Sequence, residues 1–276
     1  MIFLRHDVKN LLTPIKVRFS IILKFSLIQV VKIDLNSDLG EQSDSILDEQ
    51  IMPYISSCNI ACGGHAGDEN SVRRTIDLAI KNKVAIGAHP GFPDRENFGR
   101  VIMEIDPDAL RKSLKEQMLL AKKLTEEAGQ KLHHVKPHGA LYNLASVDSE
   151  ISRLIISVLK EIDPELSLYG LCHSETEKEA KAAGVPFIGE AFADRKYELD
   201  KTLRNRKHDD AMIHEEAEVL NQVENLTFHK RAFNGDTELS IDARTICLHS
   251  DTKGAVHLAK AIHDHLKGKG ATITAV

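Results

Sequence analysis

Strands and helices alternating along 276 residues predict an α/β protein whose parallel sheet closes into a (β/α) barrel of seven or eight strands. Three observations carry this reading. Short apolar or β-branched runs recur from Val31 onward, and amphipathic stretches fill most of the gaps between them. Polar and charged residues gather after one strand end after another, where parallel barrels place their chemistry. No Gly-x-Gly-x-x-Gly follows the first strand and no Walker-type Gly-Lys-Ser/Thr occurs, so an open doubly wound sheet is the second choice.

Strands are expected at Val31–Ser37, Tyr54–Ala61, Val84–Ala88, Leu132–Lys136, Leu166–Leu171, Val185–Glu190, Leu226–His229, Thr245–His249 and Thr272–Ala275. Helices are expected near Asp44–Met52 and over Glu69–Asn82, the latter capped by Asp68. A long helix opens at Asp106-Pro107, carries Leu110, Leu114, Ala121, Leu124 and Ala128 on one stripe, and stops at Gly129. Further helices are expected at Glu150–Ile162, Thr176–Ala183, Ile213–Val223 and Ala255–Leu266.

Composition narrows the class. At 42% hydrophobic and 28% charged the chain has a globular profile, and its net charge of −5 argues against a nucleic-acid partner. Four cysteines are too few for a disulfide framework, and Cys58 and Cys62 lack a second pair for a zinc ribbon, so a reducing cytoplasm fits best. Residues 1–32 carry a net +5 against −10 for the remainder. The apolar run Phe19–Val31 is broken by Lys24 and too short to span a bilayer. Residues 1–31 therefore read as an extension outside the fold, with a start set too far upstream favoured over an amphipathic surface helix or a degenerate signal peptide. Residues 32–276 read as one barrel domain.

The stretch His133–Asn143 is the centre of the functional reading. Strand alternation puts His134, Lys136 and His138 on one face. An ammonium on such a face needs carboxylates or an anionic ligand opposite it, although a solvated edge strand would also accommodate these residues. Asp34, Asn36 and Asp38 share a face of the first strand. The second strand delivers His65 within a glycine-rich turn, the third His89 and then Arg95, a later one Glu190, Asp194 and Arg195, and another His249. A lone histidine is usually structural, but His65, His89, His138 and His249 recur at equivalent places.

These same segments closely resemble the LamB/YcsF family. They are Ile33-Asp-Leu-Asn-Ser-Asp-Leu-Gly-Glu41, Asn59-Ile-Ala-Cys-Gly-Gly-His-Ala-Gly-Asp68, Gly87-Ala-His-Pro90, Phe92-Pro-Asp-Arg-Glu-Asn-Phe-Gly-Arg100, Val135-Lys-Pro-His-Gly-Ala-Leu-Tyr142, Glu190-Ala-Phe-Ala-Asp-Arg195 and Cys247-Leu-His249. The resemblance implies a barrel related to glycoside hydrolase/deacetylase barrels. It also implies a role as one component of an enzyme that works with companion subunits B and C to open 5-oxo-L-proline to L-glutamate, with ATP as co-substrate. Three features depart from the family pattern. Gly64 stands where many members carry an aromatic residue, Lys201 where a turn glycine is common, and His249-Ser250-Asp251 replaces His-Gly-Asp.

A five-membered lactam is an unreactive amide, and phosphorylating its oxygen makes the ring carbon electrophilic. The chain would then need a base, an acid and cations. Asp38 or Glu190 is the expected base, His138 the acid, and Lys136 an essential cation; Asn36, His65, His89, Arg95, Asp194, Arg195 and His249 are expected around the substrate. Salt bridges with Asp94 and Asp194 are the structural alternative for Arg95 and Arg195. Two other readings stay open: a deacetylase-like hydrolase with a divalent metal on Asp38, His65 and His89, and a non-catalytic subunit that only binds 5-oxoproline.

Overall fold

The structure, a computed structural model, describes residues 31–42, 44 and 46–276. All of the expected N-terminal extension except Val31 lies outside them. The sheet starts with β1 (Lys32–Leu39), β2 (Ser57–Ala61), β3 (Ala85–His89), β4 (His134–Val135), β5 (Ser167–Leu171) and β6 (Phe187–Phe192). A short antiparallel hairpin, β7 (Arg231–Asn234) and β8 (Thr237–Ser240), stands apart from that sheet. Next, β9 (Thr245–Cys247) pairs in parallel with both β6 and β1 and closes a seven-stranded parallel barrel. Finally β10 (Thr272–Ile273) joins the amino-terminal end of β1, just below β9.

The helices α1 (Ile46–Ile51), α2 (Glu69–Asn82), α3 (Pro107–Glu127), α4 (Gly139–Val147), α5 (Ser149–Ile162), α6 (Glu175–Ala183), α7 (Glu216–Glu224) and α8 (Ala255–Gly268) accompany the strands. Asp68 caps α2 through a reciprocal box with Ser71, and Asp106 caps α3 by accepting from the amides of Asp108 and Ala109. The expected stripe holds at Leu110, Leu114, Ala121 and Leu124 of α3, which are buried, but not at Ala128, which is the exposed C-cap of the helix. Outward-facing strand residues such as Leu35, Ile60, Ala88, Val135 and Ile246 join these helix faces in one apolar core. Among the described residues, no helix is long and apolar enough to cross a membrane.

One expected strand is helical instead. Asn225–His229 continues α7 as a π-helical turn, because Val219, Val223 and Leu226 present one buried face at helical spacing and the Asn225 side-chain Nδ2 donates to the Asn221 carbonyl at 2.8 Å. Its Leu-Thr-Phe-His composition suits a strand, but the packed face prevails. The hairpin after it is signalled locally by Asn234-Gly235-Asp236, a two-residue connection with Gly235 at φ 56°.

Candidate active site

Alternation along β1 aims Asp34, Asn36 and Asp38 into the barrel, and all three are buried. The named part of β4 is only two residues long, yet its extended backbone keeps step with β3. The Lys136 amide donates to Ala88 and the His138 amide to Pro90. His134, Lys136 and His138 therefore climb the same inner face towards the carboxyl ends of the strands.

Lys136 is 2% exposed and completely surrounded. Its Nζ lies 2.9 Å from Asp38 Oδ1, 2.9 Å from Glu190 Oε1, 3.1 Å from Cys247 Sγ and 3.3 Å from Asn36 Oδ1. Burial alone would favour a neutral amine, but Asp38, Cys247 and Glu190 outweigh it and hold the ammonium well above its ordinary range. Burial likewise pushes Asp38 up, while His89 and Lys136 prevail and hold that carboxyl well below its range. Burial pushes the Cys247 thiol up against the pull of Lys136. Asn36 and Asn59 bind the layer together: Asn36 Nδ2 donates to Glu190 Oε1 at 2.9 Å, and Asn59 Nδ2 donates to Asn36 Oδ1 and Asp38 Oδ1, each at 2.8 Å.

Above this layer lies a group of imidazoles. His65 and His138 stack with ring centroids 3.5 Å apart, and His89 meets both edge-on. His89 Nε2 is 3.3 Å from Asp38 Oδ2, and His65 Nε2 is 3.2 Å from Glu41 Oε1. Burial, with His89 next to it, takes His65 down to about 2 and His138 well below its ordinary value, so both rings are neutral. Burial, then Asp38 and Asp251, pushes Glu41 well above the usual carboxylate range. Gly99, at φ +61°, lets the loop after β3 press onto this stack, where a Cβ would fall 2.8 Å from His65 Cβ.

The remaining expected residues lie around this centre in different roles. Asp194 is buried, accepts from His249 Nδ1 at 3.0 and 3.1 Å and from the Thr252 hydroxyl, and is held below its usual range by His249 against the cost of burial. Neither Arg95 nor Arg195 pairs with its neighbouring aspartate. Arg95 instead donates to the Gly63 and Gly67 carbonyls of the glycine-rich turn. Arg195 donates to Arg204 O at 2.6 Å and leaves a buried Nε without a partner; burial and Arg206 bring it down to about 10. The histidines and carboxylates that could hold a metal also group differently from the expected Asp38–His65–His89 trio. Donor atoms of Glu41, His65, His89 and His138 all lie within 4.8 Å of one another, while Asp38 groups with Cys247 and His249. The Lys136 ammonium, 3.1 Å from Cys247 Sγ, makes that second group unsuited to a cation.

Glu41, Cys247 and Tyr142 belong to this centre but not to the set singled out from the sequence. Gly40 explains the first: at φ 73° it turns the chain after β1, so alternation no longer tells where Glu41 points. Tyr142 follows Gly139 onto α4, and its buried hydroxyl, like Glu190 Oε2, has no hydrogen-bond partner. Gly64 has its own explanation. A Cβ there would collide with the Gln117 amide, which occupies that space and clamps the Gly91 backbone with bonds of 3.0 and 2.9 Å.

A parallel barrel with a buried ammonium–carboxylate layer beneath a histidine cluster defines a barrel protein with its polar centre at the carboxyl-end mouth. The chain belongs to the LamB/YcsF family, which it matches over residues 33–276. It is 43% identical over 248 residues to the 5-oxoprolinase A subunit of Geobacillus thermodenitrificans, covering 88% of this chain and 96% of the relative. The same-named protein of Histophilus somni is 43% identical over 244 residues, covering 88% and 98%. The crystal structure of a lactam utilization protein from Thermus thermophilus superposes with a TM-score of 0.83 at 34% identity, covering 89% of this chain and 100% of that one.

Proposed function

We propose that this chain is the A subunit of an ATP-dependent 5-oxoprolinase and opens 5-oxo-L-proline to L-glutamate with companion subunits B and C, in the cytoplasm. The observation that carries the reading is the Lys136 ammonium clamped between Asp38 and Glu190, in a chain that spans nearly the full length of relatives bearing that name. ATP is a co-substrate placed on one of the companions, since the sequence holds neither a Gly-x-Gly-x-x-Gly after β1 nor a Walker-type loop.

Once the lactam oxygen is phosphorylated, water must add to the ring carbon, the ring nitrogen must leave with a proton to give the γ-glutamyl phosphate, and a second water must then release inorganic phosphate and L-glutamate. Asp38, kept ionised by His89 and Lys136, receives and orients the water. Lys136 has its three hydrogens shared among four acceptors, on Asp38, Glu190, Cys247 and Asn36, so it works by fixing the two carboxylates and lowering the cost of their charge. Glu190 Oε2 and the Tyr142 hydroxyl make no hydrogen bond of normal geometry, although Glu190 lies close enough to help burial push the Tyr142 phenol up; together they offer an acceptor and a donor to the lactam. Proton supply to the nitrogen falls to the Glu41, His65, His89 and His138 cluster, where His138 sits. Asn36 fixes the layer, and Arg95, Asp194, Arg195 and His249 hold the surrounding loops where the substrate carboxylate and phosphate would lie.

The test is turnover of 5-oxoproline by the full chain, alone and with both companions, following glutamate and ADP. Neither product should form with the chain alone, and both should form in the assembly. Turnover by the chain alone would remove the need for partners, and a silent assembly would remove the activity itself.

A further inference from the structure

Two ring nitrogens in the mouth face each other as acceptors. His89 Nδ1 lies 2.7 Å from the Lys136 carbonyl and therefore carries a proton, which in the neutral ring leaves Nε2 with a lone pair. His138 Nε2 lies 2.9 Å from the Phe98 carbonyl and donates in the same way, which leaves Nδ1 with a lone pair. Those two bare nitrogens are 2.9 Å apart. Lone pairs at that distance repel unless a positive centre lies against both.

We propose that this centre is a divalent first-row transition ion of the zinc class, held by Glu41, His65, His89 and His138. The distances suit such an ion. His89 Nε2 to His138 Nδ1 is 2.9 Å, His65 Nε2 to Glu41 Oε1 is 3.2 Å and His138 Nδ1 to Glu41 Oε1 is 3.5 Å. Ligands bound at about 2.1 Å and separated by such distances subtend angles of roughly 90° to 115°. Three imidazoles and one carboxylate are a donor set for zinc-like ions rather than for magnesium or calcium. Carbonyls of Lys136 and Phe98 fix the tautomers of His89 and His138 from behind, as outer partners of metal-bound histidines do. Asp38, 3.3 Å from His89 Nε2, adds negative charge beside the cluster. A proton on His138 is the poorer occupant, because that imidazolium would have the buried His65 ring stacked at 3.5 Å on its face. A proton on His89 Nε2, 3.3 Å from Asp38 Oδ2, is the competing occupant that ion retention separates. His65 is the adjustable ligand: no carbonyl fixes its tautomer, its Nδ1 is buried without a partner, and ion capture must displace the proton shared with Glu41.

The site stands on donor geometry and does not depend on which substrate the mouth accepts. The full chain, stripped with a chelator and dialysed against Zn²⁺ or Co²⁺ without substrate or companions, should retain one ion, melt at a higher temperature and show visible Co²⁺ d–d absorption. Glu41→Gln and His138→Gln, each checked for native near-ultraviolet dichroism, should lose affinity at least about tenfold, while His257→Gln, whose ring is exposed on α8, should not. Retention well below one ion per chain, or equal retention in the cluster variants, would overturn the site. Should a variant fail to fold, the wild-type Co²⁺ spectrum decides, since absence of bands has the same meaning. A negative result leaves the proposed reaction intact, and a silent three-subunit assay leaves the ion intact.

Discussion

Asp34 and Asp38 are the same residue type on the same inward face of β1, with Asn36 between them, and the barrel treats them oppositely. Asp34, at the floor, accepts from Ser56 at 2.6 Å, Ser57 at 2.7 Å, Thr245 at 2.7 Å and Tyr169 at 3.1 Å. Four neutral hydroxyls satisfy it, and it ties β1 to β2, β5 and β9. Asp38, at the mouth, is met by Lys136, His89 and one asparagine. Among the described residues, four of the five unpartnered buried side-chain atoms also lie towards the mouth, His65 Nδ1, Tyr142 Oη, Glu190 Oε2 and Arg195 Nε, while the fifth, Thr227 Oγ1, lies on the π-helical turn. Buried polar groups are normally satisfied, so the contrast separates a carboxylate that holds the barrel together from one kept available to a ligand.

The sharpest break of this comparison is to neutralise each aspartate in turn. Asp38→Asn should lower turnover of the folded three-subunit assembly by about 10² to 10⁴, with a loss of stability smaller than that of Lys136→Met because Lys136 keeps Glu190 as a counter-charge. Asp34→Asn should instead leave turnover per folded molecule nearly unchanged and cost about 1–3 kcal/mol in urea unfolding. Lys136→Met comes next: it should lower turnover by about 10² to 10³ and destabilise by about 3–5 kcal/mol, because Asp38 and Glu190 lose their shared counter-charge. Adding Glu190→Gln should recover much of that stability and none of the activity. Wild-type turnover in Asp38→Asn or Lys136→Met would move the chemistry away from this layer.

A smaller effect is pH-dependent. Asp194 faces His249 and Thr252 and feels Arg206 and Arg195, and its carboxyl is held below its ordinary value. A lowered acid stabilises the fold above its unfolded pKa and loses that contribution as pH falls through the folded one. Between about pH 5 and about pH 3 the wild type should therefore lose more melting temperature than Asp194→Asn; parallel curves would show that Asp194 does not contribute. The smallest effect is at Lys201, which takes a left-handed φ of 72°, a backbone region that glycine enters without strain. Lys201→Gly should raise stability by about 0.5–1 kcal/mol, read as a shifted urea midpoint with unchanged turnover.

Much of this is written locally. Strand alternation determines that Lys136 and His138 share an inner face, and the recurrence of histidines after strands marks the mouth. The caps at Asp68 and Asp106 and the stripe on α3 likewise need only their own neighbours. Other features have no local signal. Leu226–His229 has strand composition, but the α7 face packs it as helix. Arg95 and Arg195 follow their aspartates in sequence, yet backbone carbonyls of other loop residues take their hydrogens. Glu41 lies beyond the left-handed turn at Gly40, where alternation ends. The sequence by itself determined which residues face inward, because period two and period 3.6 are properties of the backbone. Only the tertiary structure decided which inward groups are neutralised, which are stacked and which stay unpaired. Those outcomes depend on distances between strands far apart in the chain, as with Lys136 and Cys247, and no local pattern encodes them.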